Sequence, residues 1–178
     1  MGAYEIRTFG DPVLRMRARE VTELDGELAR VVDTMIETMY AAVGGGLAAP
    51  QVGIPKRFFT YVGDDEEPDV LINPEIVDAR GEVAFEEGCL SFPEMRFEIV
   101  RPALVTVRGV DLDGHEVVLE AGDGYFGRML QHEIDHLDGV LAIDRLDPDA
   151  RKAMLREYRR RAAETSIPVP SGGGGTGS

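Results

Sequence analysis

The stretch Gln131-His132-Glu133-Ile134-Asp135-His136-Leu137 sets two imidazoles four residues apart. On a helix that spacing puts both on one face, close enough to share a metal ion, with Glu133 at the flank of the site. The surrounding residues do predict a helix. Phe126, Leu130, Ile134 and Leu137 recur at helical steps through residues 124–137 as its buried stripe, and Gly139 follows as a C-cap. A helix carrying two surface histidines is the plain alternative, since short motifs recur by chance. Two of the chain's three histidines fall inside this motif, which weighs against that alternative.

The only cysteine lies in Glu87-Gly88-Cys89-Leu90-Ser91, after a predicted strand. A lone cysteine forms no internal disulfide, so Cys89 is a small buried apolar residue, a reactive thiol or a metal ligand. Taken by itself, burial is the ordinary fate. Flanking Gly and Ser, however, suit a thiolate presented at a tight turn. Two imidazoles and one thiolate leave a fourth tetrahedral position for water, which distinguishes a catalytic site from a closed structural one. Iron, zinc, nickel and cobalt all accept this mixed donor set.

Upstream, Leu28, Val31, Val32, Met35, Ile36 and Met39 recur at three- and four-residue steps and predict an amphipathic helix over residues 25–41. Gly44, Gly45 and Gly46 are expected to end it through positive φ, and also to let a backbone or ligand come close. Short strands are predicted over residues 58–62, 70–72, 83–85, 97–100, 104–110 and 117–119, punctuated by Pro and Gly. Asp113-Gly114 marks a hairpin between the last two, with His115 as a solvated turn histidine. A last helix starts at the N-cap Asp147, with Pro148 at its first position. The order of a helix, then strands, then helices predicts an α+β fold: small antiparallel sheets around a central metal-bearing helix, with N-terminal and C-terminal helices.

The 178 residues, 43% apolar, suit one catalytic domain over residues 1–165, with a flexible Gly-rich tail at 166–178. A net charge of -14 excludes a surface given over to DNA or to an anionic membrane. No apolar run reaches the roughly 18 residues that span a bilayer, and no signal peptide precedes the domain, so a cytoplasmic location is expected. The charge is uneven. Arg151, Lys152, Arg156, Arg159, Arg160 and Arg161 make residues 149–163 basic in an acidic chain. That segment is either a solvated helical face or a docking surface for a polyanion.

Three segments together resemble the motifs of the peptide deformylase family, in that family's order: Gly44-Gly45-Gly46-Leu47-Ala48-Ala49-Pro50-Gln51, Glu87 to Ser91, and Gln131 to Leu137. Asp11-Pro12-Val13-Leu14-Arg15 resembles its N-terminal segment, so the likeness runs over residues 4–163. The resemblance implies removal of formyl from formyl-methionine on nascent proteins, at a metal held by Cys89, His132 and His136. It implies Fe2+ in the cell, with Zn2+, Ni2+ or Co2+ in purified protein. Glu133 would take a proton from water and return it to the leaving amine, while the Gln51 amide and the Leu90 backbone N–H would hold the oxyanion. Gly46 and Gly88 would bond an extended peptide, and Phe85, Tyr125 and Met129 are nominated for the methionine pocket. Family members often carry isoleucine or valine where this chain has Gly45. A wall of that pocket is therefore expected to be missing, with looser selection at the first residue. The basic helix, by the same resemblance, would dock on ribosomal RNA.

Two rivals remain open at this point. A zinc protease shares His-Glu-x-x-His but takes a third ligand after the motif, for which only Asp138 and Asp144 are on offer. A metal-binding or ribosome-associated protein without turnover has no chemical need for Glu133.

Overall fold

Helix α1 (Gly26–Ala41) begins where the Asp25 carboxylate accepts a hydrogen bond from the Leu28 N–H at 2.9 Å, an N-cap that satisfies a donor the helix itself leaves open. Its apolar face, Leu28, Val32, Met35 and Met39, packs on Leu47, Phe58, Val70 and Ile72. This computed structural model describes residues 2–165; the tail expected at 166–178 lies outside them.

The helix does not end as the glycines suggested. Val43 adopts φ +56°, while Gly44, Gly45 and Gly46 all lie outside the left-handed region. The Gly44 N–H then closes the last turn on the Met39 carbonyl at 3.0 Å. A β-branched residue in that conformation is strained, and Val43 is 93% exposed, so no packing of its side chain offsets the cost. The three glycines answer a different need, close approach, which becomes visible at the site.

Strand β1 (Gly46–Ala48), absent from the sequence reading, forms one edge of a five-stranded antiparallel sheet. Its order is β1, β2 (Phe58–Val62), β3 (Pro68–Arg80), β6 (Leu104–Val110) and β7 (Glu116–Ala121). The β6–β7 hairpin turns at Gly114, φ +81°, beside an exposed His115, as the Asp-Gly signal predicts. Strand β3 runs far past residue 72 because an irregularity lets it continue. Asn73 sits at φ +50° and pairs its side-chain amide with both backbone groups of Val21, at 2.8 and 2.9 Å. Polar residues beyond it hide the continuation from an apolar-run reading.

Strands β4 (Val83–Cys89) and β5 (Phe92–Arg101) make a separate hairpin. Along β5, Phe97, Ile99 and Arg101 occupy the buried positions in strict alternation, so the pleat itself drives Arg101 inward. Helix α2 (Tyr125–Leu137) lies between the two sheets. Met129, Leu130, Ile134 and Leu137 pack on Phe59, Tyr61, Leu71 and Val107 of the large sheet, and the opposite face meets the hairpin through polar contacts. Phe126, expected in the buried stripe, is only partly covered. Helix α3 (Pro148–Thr165) docks Met154, Leu155 and Tyr158 on the third cluster, built around Phe92, Phe97 and Leu141. The Tyr158 hydroxyl donates to the Phe9 carbonyl at 3.0 Å. The architecture is the expected α+β one.

Candidate metal centre

Helix α2 and the end of β4 bring three donors together. His136 Nε2 lies 3.2 Å from His132 Nε2 and 3.4 Å from Cys89 Sγ, and all three residues are buried. Tetrahedral ligands at ordinary Zn–N and Zn–S lengths stand roughly 3.3 Å apart for N···N and roughly 3.6 Å for N···S. Both pairs that include His136 thus stand at the spacing one ion needs, and all three donors lie within 4.8 Å of one another.

Protonation agrees with that spacing. Burial works against charge on both imidazoles, and it is the main reason His136 is held well below its ordinary value, a neutral ligand. At His132 burial is outweighed by the Cys89 sulfur and the Glu87 carboxylate, which favour a second proton. A cation at the three donors takes that proton's place. Glu87 Oε1 sits 3.0 Å from His132 Nδ1, so the ring keeps its Nδ1 proton and aims the Nε2 lone pair at the metal position.

Glu87 is itself held. Burial would raise its pKa, but hydrogen bonds from His132 and Arg101 bring it to about 2. Arg101 Nε and Nη2 grip its two oxygens at 2.6 and 2.9 Å, while Nη1 reaches Asp135 at 2.8 Å. Arg145 closes the chain on the two Asp135 oxygens at 2.6 and 3.1 Å. Two carboxylates and two guanidiniums therefore form a charge-balanced bracket behind the ligands. No local motif assigns a role to Glu87, Asp135, Arg101 or Arg145. The available signals were an arginine in the inward register of β5 and an aspartate between two ligands on a buried helix.

Glu133 is buried and contributes no donor to the triad. Its Oε2 has no hydrogen-bond partner among the described residues, and burial, partly offset by His132 and Arg101, raises its carboxyl to about 7 in the metal-free chain. The glycines explain how it fits. A Cβ at Gly46 would stand 2.8 Å from Glu133 Oε1 and 3.0 Å from Met129 Sδ, and one at Gly44 would stand 2.9 Å from Leu90 Cδ1. Only bare backbone can pass so close.

Gln51 is fixed at both ends. Its Oε1 accepts from the Ala48 N–H at 2.9 Å and its Nε2 donates to the Ser91 hydroxyl at 3.1 Å, which leaves one amide hydrogen uncommitted. Ser91 is a further supporting residue that carried no sequence assignment.

These groups line one open cavity of about 570 Å³, whose walls include Gly46, Gln51, Gly88, Cys89, Leu90, Tyr125, Met129, His132 and Glu133. Phe85 is not among them. It stands two residues before Glu87 with its ring under the Arg128 guanidinium, 3.9 Å from ring centre to carbon, so the nomination of Phe85 is corrected. The missing wall at Gly45 is corrected too: a Cβ there would lie 2.4 Å from the Tyr125 hydroxyl and about 3 Å from two ring carbons. Tyr125 already fills that volume.

A family model described as polypeptide deformylase matches residues 3–152. The peptide deformylase of Thermotoga petrophila is 52% identical over 165 residues, spanning 91% of this chain and 98% of that protein. The crystal structure of peptide deformylase from Thermotoga maritima superposes with a TM-score of 0.79 at 50% identity, over 83% of this chain and all of the other. That of the Thermus thermophilus enzyme gives 0.85 at 42% identity, over 91% and 96%.

Proposed function

The chain belongs to the polypeptide deformylase family, and from that membership we propose that Cys89, His132 and His136 hold its metal, Glu133 moves the proton, and Gln51 with the Leu90 backbone N–H holds the oxyanion. Its reaction is the hydrolytic removal of the N-formyl group from N-terminal methionine, and it depends on a metal. The observation that carries the residue assignment is the convergence of three buried donors beside Glu133, whose Oε2 has no hydrogen-bond partner among the described residues.

A divalent ion held by Cys89, His132 and His136 would supply Lewis acidity to the formyl carbonyl and to water. Glu133 takes a proton from water through Oε2 as the water oxygen adds to the formyl carbon, and delivers it to the amine nitrogen as the C–N bond breaks and formate leaves. Gln51, pinned through Ala48 and Ser91, offers its remaining amide hydrogen to the negative oxygen without reorganising. The strand edges of β1 and β4 that face the cavity, relieved of side chains at Gly46 and Gly88, suit an extended peptide added between them. Met129 and Tyr125 flank the place of the methionine side chain. We place this single catalytic domain, residues 1–165, in the cytoplasm with its nascent substrates; no helix among the described residues is long and apolar enough to cross a membrane.

For the ion we favour Fe2+, which membership of the family implies; the donor set itself accepts iron, zinc, nickel or cobalt. Chain loaded anaerobically with Fe2+ should release formate from a formyl-methionyl tripeptide and lose that activity on exposure to air, whereas nickel- or zinc-loaded chain should keep what it has. Equal endurance in air would set ferrous iron aside.

The C-terminal helix is proposed to dock on ribosomal RNA. Arg160 pairs with Glu157 and Glu164, Arg161 with Glu157, and Arg151 faces Asp144, but Lys152, Arg156 and Arg159 have no ion-pair partner among the described residues. Because Tyr158 packs into the core, deleting the helix would confound the test. Changing Lys152, Arg156 and Arg159 together to Glu should abolish salt-sensitive co-sedimentation with ribosomes while sparing the thermal midpoint. Undiminished co-sedimentation would refute the docking.

A further inference from the structure

The two oxyanion donors come from separate elements. Leu90 follows Cys89 directly at the end of β4, whereas Gln51 sits in a short 3-10 turn (Ala49–Val52) after β1. Their segments are joined through side chains by the 3.1 Å hydrogen bond from Gln51 Nε2 to the Ser91 hydroxyl. A serine hydroxyl turns to suit its partner, so that contact by itself sets the spacing only loosely.

The N-terminal arm sets it more firmly. Alternate residues of the arm lie across both elements: the Arg7 N–H donates to the Gln51 carbonyl at 2.7 Å and the Phe9 N–H to the Ser91 carbonyl at 2.9 Å. Helix α3 pins the arm in turn. The Tyr158 hydroxyl donates to the Phe9 carbonyl at 3.0 Å, so both backbone polar groups of Phe9 are engaged. The Phe9 ring stacks on Phe92, with centroids 4.8 Å apart and planes at 25°. Tyr158 stands edge-on to both rings, 5.2 Å from Phe9 and 5.6 Å from Phe92. Phe92 is fully buried and comes directly after Ser91, so the aromatic trio grips the same segment that the Phe9 N–H holds. Arg7, Phe9 and Tyr158 do not line the metal cavity. Any effect they have on the reaction is therefore indirect.

We propose that Tyr158 is a positioning residue: acting through Phe9, it clamps the N-terminal arm that keeps Gln51 in register with Leu90. The inference rests on the oxyanion roles given above for Gln51 and Leu90. Donors of this kind act where negative charge develops, so an error in their spacing lowers the rate without weakening substrate binding. A misplacement of about 1 Å costs on the order of 10²-fold.

The test is a double-mutant cycle on metal-loaded chain, reading formate from a formyl-methionyl tripeptide together with metal content. Gln51→Ala should lower kcat by about 10²- to 10³-fold, the usual loss for one oxyanion donor. Tyr158→Ala should lower kcat by about 10- to 100-fold, with KM and metal content unchanged. The double variant should fall within about threefold of Gln51→Ala by itself, because without the side-chain donor there is no spacing left to set. A merely structural tyrosine would lower the active fraction equally in both backgrounds, and the two losses would multiply. Tyr158→Phe keeps the ring contacts and decides the matter where the alanine variant does not fold. Its loss of about fivefold in kcat, the worth of one neutral hydrogen bond, should likewise vanish beside Gln51→Ala. Wild-type kcat in Tyr158→Ala, or in Tyr158→Phe where that variant decides, would overturn the inference, as would multiplied losses in the double variant; the oxyanion assignment would then stand without it. Wild-type kcat in Gln51→Ala would instead remove that assignment, and this inference with it.

Discussion

Glu133→Ala should lower kcat on a formyl-methionyl tripeptide by about 10²- to 10⁴-fold while the chain still carries one metal ion. The reason for expecting the two readouts to separate lies in the geometry. The three donors that meet at the metal position belong to Cys89, His132 and His136, and Glu133 is not among them. Among the described residues its buried Oε2 has no partner, a costly state unless something the free chain lacks makes use of it. Water undergoing deprotonation is such a partner. Substrate contacts run through other residues, so KM should change little, the pattern of an interaction made in the transition state. Removing a buried carboxylate that burial already disfavours leaves no charge orphaned, so the fold should survive. Turnover at the wild-type rate would sink the assignment. Loss of the metal together with the activity would recast Glu133 as part of the ion's binding site.

Helix α2 was legible from the residues because period and chemistry coincide there: the steps that bury Leu130 and Ile134 are the ones that align His132 with His136. Cys89 was legible only in combination, since a lone cysteine by itself reads as core. Features set by distance in space were not legible. Val43 holds the left-handed turn that three following glycines seemed made for, because those glycines are needed where Leu90, Tyr125 and Glu133 press against the backbone. No local pattern announces a neighbour eighty residues away. Strand β1 was hidden for the same reason: three residues long, it exists through its pairing with β2. At Gly45 the absence of a side chain read as a gap, whereas the ring that fills it comes from the start of a distant helix.

Arg101→Ala should destabilise the metal-free chain by about 3–5 kcal/mol, the usual consequence of removing one member of a buried ion pair, and depress its thermal midpoint on the order of 10 °C. The Arg101 side chain is 3% exposed and joins Glu87 on β4 to Asp135 on α2. Without it Glu87 keeps, among the described residues, His132 alone as a side-chain partner. Asp135 keeps Arg145, which is half-exposed and so the weaker hold. Replacing an ion pair by apolar groups can be neutral, but that holds only when both charges go together. Arg101→Met in a chain that also carries Glu87→Met should therefore cost less than Arg101→Met by itself, even though more is removed. The same variants separate folding from function. Glu87 orients His132, and loss of such a supporting carboxylate typically weakens metal binding 10- to 100-fold. Glu87→Met with Arg101→Met should thus recover part of the stability yet remain poor at holding its ion in competition with a chelator. If Arg101→Ala melts within a degree or two of wild type and binds metal as tightly, the bracket behind the ligands is ornamental, and His132 is oriented by the packing of α2 instead.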